Sequence, residues 1–134
     1  MSRVIKFRAL ELDTGVMRFG SYIAEDGVSG IDGSSVTRHK IFDGLYHEFA
    51  EDTLGQFTGL KDEDGVDIYE GDIVESDYYW PDFRELAVIG YDDTEMKFCF
   101  NSKTGDIKGE QDAFRYGHLK VIGNIHQNPE LLSD

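Results

Sequence analysis

Residues 56–74, with the sequence QFTGLKDEDGVDIYEGDIV, decide the fold of this 134-residue chain. Two apolar runs flank the acidic turn at 61–65, which ends in the dipeptide Asp64-Gly65. An Asp-Gly pair between apolar runs is a strong signal for a β-hairpin. A second turn at 70–72 then leads into another apolar run. The stretch therefore predicts successive strands joined by tight turns.

The same patterns extend outward to both ends of the chain. Period-two alternation at 3–19, interrupted by turn residues, predicts an N-terminal β-hairpin. Asn128 at an N-cap and Pro129 in a first turn predict a short C-terminal helical turn. Short turns without a long helical pattern predict a mostly β fold. Further strands are predicted at 54–60, 85–91, 97–100 and 119–125, with turns at 92–94 and 103–106.

Two segments are less definite. Residues 25–37 are rich in glycine, but no strand before, helix after or terminal lysine gives them the context of a phosphate-binding loop. They are expected to form a flexible loop or an edge hairpin. Residues 39–54 fit either a short amphipathic helix or strands, because Ile41 and Leu45 recur at helical spacing while the aromatic residues suit a sheet.

An aromatic cluster contains Tyr78, Tyr79, Trp80 and Phe83. We expect its first three residues in a loop, because Pro81 biases Trp80 away from helix. Tyrosine and tryptophan are over-represented among interface anchors, so these four residues are a candidate protein-interaction surface. Aromatic residues also cover the cores of small β proteins, and this alternative stays open.

The length and composition are those of a small globular protein. A chain of 134 residues fits a single domain over 1–134, and 40% hydrophobic residues can supply its core. One cysteine excludes an internal disulfide. Without a signal-peptide pattern or an apolar run of about 20 residues, the expected location is the cytoplasm, with no membrane partner.

The acidity is concentrated in one part of the chain. The formal net charge is −14, and the window 48–95 has 16 acidic and two basic residues, so it accounts for the whole charge. Such a balance disfavours a nucleic acid or an anionic membrane as partner. The window is either a solvated surface or a surface that meets a basic protein or imitates nucleic-acid phosphates.

Catalytic and metal-binding patterns are missing from the sequence. The four histidines form no helical His-x-x-x-His pair, and Cys99 has no neighbouring cysteine, so we expect no metal, no cofactor and a buried thiol. The acidic turn lacks the first and last ligands of a calcium loop. We therefore expect a protein that is not an enzyme and has no catalytic residues.

Three blocks resemble the YopX family of phage and prophage proteins. They are residues 5–9, the long block 56–74 and the C-terminal block 121–132, in the family's order and spacing. The resemblance implies a phage- or prophage-encoded protein, in the cytoplasm of a bacterial host, whose molecular role is not established. The entry of residues 71–74 (GDIV) into a strand, followed by a strand–turn–strand, is similar to the opening of SH3-like barrels. We therefore expect an N-terminal β-hairpin region packed on an SH3-like, partly open barrel at about 54–126.

Three binding hypotheses follow from these observations. The first is an accessory protein that binds a host or phage protein, or itself as a homo-oligomer. The second is an acidic mimic of nucleic acid. The third is a nucleic-acid-associated SH3-like module, in which Tyr78, Tyr79 and Trp80 stack on bases beside basic residues. Those basic residues would be Lys6, Arg8, Arg18 and Lys120.

Overall fold

A computed structural model describes residues 4–28, 33–80, 83–94, 96–102 and 119–133, with side chains omitted at 28, 76–80, 83–85 and 102. The chain divides into two compact units, Met1–Gln56 and Phe57–Asp134. The division into units does not test the expectation of a single domain, which stays a prediction. The turn predicted at 103–106 lies outside the described residues.

The first unit is an antiparallel meander. Strand β1 pairs with β2, β2 with β3, and β3 with β4, and a 3-10 turn follows β4. The predicted N-terminal hairpin is confirmed, and the segment at 25–37 is the end of a longer hairpin. Of the two alternatives for residues 39–54, a short helix or strands, the structure shows strands followed by a 3-10 turn. The elements are β1 (Phe7–Leu10), β2 (Met17–Val28), β3 (Ser35–Phe42), β4 (Tyr46–Glu48) and the 3-10 turn Glu51–Thr53.

This meander curls back on itself. The chain after β4 reaches the chain after β1 through a bridge between Glu11 and Phe49 and a hydrogen bond from Leu12 N to Glu48 O of 2.9 Å. The curl encloses a small core of fully buried residues, with three half-buried ones packed against it. The buried residues are Ala9, Ile41 and Phe49, and the others are Phe7, Tyr22 and Leu54.

The described residues of the second unit form one strand pair and one four-stranded sheet, all antiparallel. Strand β5 begins at the end of the first unit and pairs with β6, while the sheet has the order β10-β7-β8-β9. The strands and turns predicted at 54–60, 85–91, 92–94, 97–100 and 119–125 are confirmed to within a few residues. The elements are β5 (Gly55–Lys61), β6 (Asp67–Tyr69), β7 (Asp72–Trp80), β8 (Phe83–Asp92), β9 (Lys97–Ser102), β10 (Leu119–Asn124) and the 3-10 turn Pro129–Leu132.

The decisive acidic turn is built around the carboxylate of Asp62. One of its oxygens accepts hydrogen bonds from the backbone N–H groups of Asp64 and Val66, at 2.8 and 2.9 Å. The other accepts one from Val121 N on β10 at 2.9 Å. Gly65 closes the turn with φ +83°, a conformation that L side chains rarely adopt. The predicted hairpin turn is confirmed, and its first acid also ties it to the last strand.

One local prediction is wrong. Residues 78–80 belong to β7 and not to a loop, and Trp80 pairs with Phe83 of β8 across the hairpin. The effect of Pro81 on Trp80 excludes helix but is compatible with extended backbone, and tyrosine and tryptophan favour strands. The hairpin simply continues further than the turn residues indicated.

The C-terminal prediction is confirmed in its position and corrected in its capping. Pro129–Leu132 is a 3-10 turn, but the Asn128 side chain makes no cap hydrogen bond. Its Oδ1 instead accepts a hydrogen bond from Asn124 N, at 3.2 Å. Among the described residues the strands form sheets and no closed barrel. The mostly β class is therefore confirmed, and the SH3-like arrangement stays a prediction.

Candidate functional site

The end of the β3–β4 hairpin is an exposed apolar feature of the first unit. Phe42 and Tyr46 are cross-strand partners, and Asp43, Gly44 and Leu45 connect them. Asp43 N donates to Leu45 O at 3.1 Å, and Leu45 N donates to Asp43 Oδ1 at 3.2 Å. Gly44 has φ +113°, which fits glycine and not a residue with a side chain. The connection is therefore a closed, well-defined turn.

Three apolar side chains project from this turn into solvent. Phe42 is 38%, Leu45 70% and Tyr46 64% exposed. The rings of Phe42 and Tyr46 lie 4.8 Å apart, and the Lys40 ammonium lies 5.7 Å from the Tyr46 ring. We call Phe42, Leu45 and Tyr46 the aromatic tip. Clustered exposed apolar side chains are typical of binding surfaces rather than of a solvated β-turn.

Directly beneath the aromatic tip, on the inner face of the sheet, His47 joins two carboxylates. Its Nδ1 contacts Glu11 Oε2, and its Nε2 lies 3.0 Å from Asp43 Oδ1. Because side chains alternate along a strand, Tyr46 points outward while His47 points inward. We call His47, Glu11 and Asp43 the histidine network. It links the chain after β1 to the turn that carries the aromatic tip.

Both carboxylates of this network are stabilised in their charged form. Hydrogen bonds from Thr14 and then His47 and Arg18 lower the pKa of Glu11 to about 2. The backbone N–H of Leu45, followed by His47, lowers the pKa of Asp43. Arg18 Nη2 lies 3.2 Å from Glu11 Oε1, so the Glu11 end is held from two sides. The network is a structural support with two fixed negative charges.

The charges beside the aromatic tip cancel in pairs. On the outer face, Lys40 Nζ lies 2.7 Å from Glu25 Oε2, and Arg38 Nε lies 3.7 Å from Glu48 Oε1. The first unit as a whole has six basic and nine acidic residues, a formal charge of −3. The second has seven basic and 18 acidic residues, a formal charge of −11. The aromatic tip thus belongs to the less charged unit.

The β2–β3 hairpin that adjoins the aromatic tip is exposed along its outer half. Residues 25–27 on β2 pair with residues 36–38 on β3, and all six are exposed, so both faces of this ribbon meet solvent. A two-stranded ribbon alone is marginally stable in water. The exposed ribbon adds backbone groups and side chains that a binding partner could contact beside the aromatic tip.

The predicted aromatic surface cannot be compared in the same way. The backbones of Tyr78, Tyr79, Trp80 and Phe83 form the end of the β7–β8 hairpin, and their side chains lie outside the described residues. Their role at an interface stays a prediction. The aromatic tip is not among the surfaces predicted from the sequence, although the Asp43-Gly44 dipeptide between apolar residues is a hairpin signal that marks it.

Several of the acidic and basic residues that the sequence offered for binding are buried or bonded within the protein. Asp62 and Asp72 are buried, and Asp72 Oδ2 accepts a hydrogen bond from Tyr69 N at 2.8 Å. They are therefore not part of a phosphate-like surface. Among the basic candidates, Arg8 is buried and Arg18 is engaged by Glu11. These contacts weaken both nucleic-acid hypotheses.

Three further features bear on chemistry. Cys99 is buried, as predicted, and burial raises the pKa of its thiol. Among the described residues, no group of three or more His, Cys, Asp or Glu side chains is arranged to hold a metal ion. In the same part of the chain, no helix is long and apolar enough to span a membrane.

Comparison with known proteins gives a family match and matches among solved structures. A family model described as YopX protein matches residues 6–133. The crystal structure of protein EF1440 from Enterococcus faecalis is 30% identical to this chain, with a TM-score of 0.56. The alignment covers 98% of this chain and 100% of that one. No curated protein matches the sequence.

Proposed function

The chain belongs to the YopX family, and from this premise we propose that it is a phage- or prophage-encoded accessory protein that acts by binding another protein and not by catalysis. The phage origin follows from what the family resemblance implies. The binding role is supported mainly by the aromatic tip, where Phe42, Leu45 and Tyr46 are exposed together on a rigid turn.

Preorganisation makes the aromatic tip a good anchor. A loop that is ordered before binding loses less conformational entropy when a partner docks. The turn at 43–45 is closed by its own hydrogen bonds and supported from below by His47. Aromatic side chains on such a support can fill a pocket of a partner at a small entropic cost.

The charge distribution favours the first unit as the docking surface. A partner that approaches the second unit meets a formal charge of −11, whereas the first unit carries −3. A second copy of this chain would meet less repulsion through the aromatic tip than through the acidic unit. The partner is thus a host or phage protein with an apolar pocket, or another copy of the chain.

The test starts with affinity capture from host cells during phage induction, using the tagged full chain. A captured protein is identified, purified and titrated against the wild type and the double variant Phe42→Ser/Tyr46→Ser. Removal of an interface anchor costs about 2 kcal/mol or more, so we expect the dissociation constant to rise roughly 30-fold or more. Light scattering on the same variants measures any self-association.

Tyr91→Ser is the matched control. Tyr91 is an exposed aromatic residue like those of the aromatic tip, with 46% exposure, but it lies on the second unit. It should leave binding unchanged, while all variants keep the wild-type circular dichroism spectrum. A monomer that captures no partner in several hosts would contradict the proposal. So would a partner whose affinity is the same for the wild type and the tip variant.

Imitation of nucleic-acid phosphates remains the second candidate, because the second unit has a formal charge of −11. A partner bound through this charge should be a nucleic-acid-binding protein. Its affinity should fall steeply with salt and should not respond to the tip substitutions. The titration above, repeated at two salt concentrations, separates the two candidates.

A further inference from the structure

We propose that the histidine network is a pH-dependent lock on the aromatic tip, closed when both ring nitrogens of His47 carry a proton and released when one proton is lost. The lock is a property of the folded chain. Its effect on partner binding rests on the function proposed above. The lock consists of three side chains, those of His47, Glu11 and Asp43.

Both nitrogens of the imidazole ring face carboxylate oxygens. Nδ1 contacts Glu11 Oε2, and Nε2 contacts Asp43 Oδ1 at 3.0 Å. A neutral imidazole has a single N–H, so it can donate to only one of these carboxylates. The other carboxylate would then face a nitrogen lone pair at hydrogen-bond distance. Only the doubly protonated ring satisfies both contacts.

When the ring loses a proton, the contact between His47 and Asp43 is the one that breaks. Glu11 is also bound by Thr14 and Arg18, and its side chain is 13% exposed. The Asp43 side chain is 35% exposed, so water can solvate it once the ring turns away. The single N–H of the neutral ring therefore stays with Glu11. Asp43 then loses its link to the sheet beneath the tip.

The other charged groups near the ring leave the order of events unchanged, with the lock closed in acid and released as pH rises. On the inner side, the described charged groups in contact with the network are Glu11, Asp43 and Arg18, while His39 of β3 faces Tyr22 and Glu51. Lys40 and Glu48, on the strands adjoining His47, face outward and are engaged with Glu25 and Arg38. The ring can donate to both carboxylates only when it is doubly protonated, so the lock is closed at the acidic end of the titration.

Release loosens the turn that presents the three apolar side chains. Leu45 N donates to the same Asp43 oxygen that contacts His47, so displacement of that carboxylate reaches the centre of the aromatic tip. The rest of the sheet keeps its pairing, because Ile41 and His47 remain cross-strand partners. The change is local, and it is reversible.

The experiment is a pH titration by NMR of the ring nitrogens of His47 and of the amides of Gly44, Leu45 and Tyr46. The three amides should shift along the same titration curve as the His47 ring. In Asp43→Asn the ring should still titrate, and the amide shifts should lose most of their amplitude. The matched control Glu48→Gln, on the outer face, should keep the wild-type coupling.

Two results would overturn the lock: a His47 ring that stays singly protonated down to acidic pH, or tip amides that do not follow it. Both results are measured on the chain alone, without a binding partner. The test of the lock therefore does not depend on whether the proposed function is correct. If a partner is identified, its affinity for the wild type should fall as pH rises through the His47 titration. A partner affinity that ignores this titration while the amides follow it would disprove regulation by the lock.

Discussion

At the scale of single residues, the acids of this chain differ sharply in what they do. Asp62 is buried and accepts three backbone hydrogen bonds, whereas Asp64, two positions later, is exposed. Composition treats the two as equal contributions to the charge of −14. Only Asp62 determines the path of the chain, because it connects the hairpin turn to β10.

Replacing Asp62 with alanine should destabilise the protein by about 3 kcal/mol. Hydrogen bonds to a charged group are worth about 1.5–3 kcal/mol, and the substitution leaves three backbone donors unpaired, although water can reach some of them. The measurement is the midpoint and slope of urea unfolding. Asp64→Ala is the control and should change stability by about 0.5 kcal/mol or less. Equal effects of the two substitutions would contradict this role of Asp62.

Acid should destabilise the first unit through Glu11. Its pKa is lowered from 4.5 to about 2 in the folded protein by Thr14, His47 and Arg18. A lowered folded-state pKa gives stability that is fully present above the unfolded value and is lost as pH falls through the folded one. The loss should therefore develop between about pH 5 and pH 2. Thermal melts of the wild type and Glu11→Gln check this.

In that comparison the variant should be less stable at pH 7 and should lose less stability on acidification. Asp62 also has a lowered pKa, because backbone N–H groups of Val121, Val66 and Asp64 outweigh its burial. It therefore adds an acid-dependent loss of the same sign to both proteins. Parallel stability curves for wild type and Glu11→Gln would refute the contribution of Glu11.

At the scale of elements, the long hairpin β2–β3 depends on one close approach. A Cβ added to Gly20 would lie 2.1 Å from the backbone oxygen of Phe42, and a backbone atom cannot move aside as a side chain can. Glycine inside a strand often marks such a contact. Gly20 is the last residue of β2 that pairs with β1, and Ser21 is the first that pairs with β3.

Gly20→Ala should therefore be destabilising by about 3 kcal/mol or more, at the upper end of overpacking effects. Gly27→Ala is the control on the same strand. There the nearest atom, Val36 O, lies 3.9 Å from the added Cβ, which is an ordinary contact. Its stability should change by less than about 1 kcal/mol. Unfolding of both variants in urea provides the comparison, and similar midpoints would count against the close approach.

At the scale of the whole molecule, the charge is divided unequally between the units. The formal charge of the second unit is −11 and that of the first is −3, so mutual repulsion acts mainly within the second. The net acidity that disfavours a simple nucleic-acid binder is therefore a property of one unit. The aromatic tip lies in the other.

Salt should stabilise the second unit more than the first. Between about 0.01 M and 0.1 M salt the screening length falls from about 30 Å to about 10 Å, which weakens repulsion among its exposed carboxylates. Native-state hydrogen exchange resolves the two units. Protection of buried amides in β7 and β8 should rise with salt more than protection in β1 and β3. Equal increases would contradict an electrostatic difference between the units.

The sequence by itself determined the mostly β class, the positions of most strands and the family. These follow from local signals: alternation with a period of two, and the turn chemistry of pairs such as Asp64-Gly65. The same kind of signal stands at Asp43-Gly44. Where local signals competed, as in the stretch that ends at Trp80, they gave the wrong element because the length of a hairpin depends on its pairing partner.

Only the tertiary structure decided which residues meet. His47 reaches Glu11 across 36 positions, and Asp62 reaches Val121 across 59. Neither partner is marked by a local pattern, because such contacts depend on strand register and on how the sheet curls. Exposure of Phe42 beside burial of Ile41 likewise follows from which face of β3 meets the core. Pattern fixes the strands, while register and packing bring the distant side chains together.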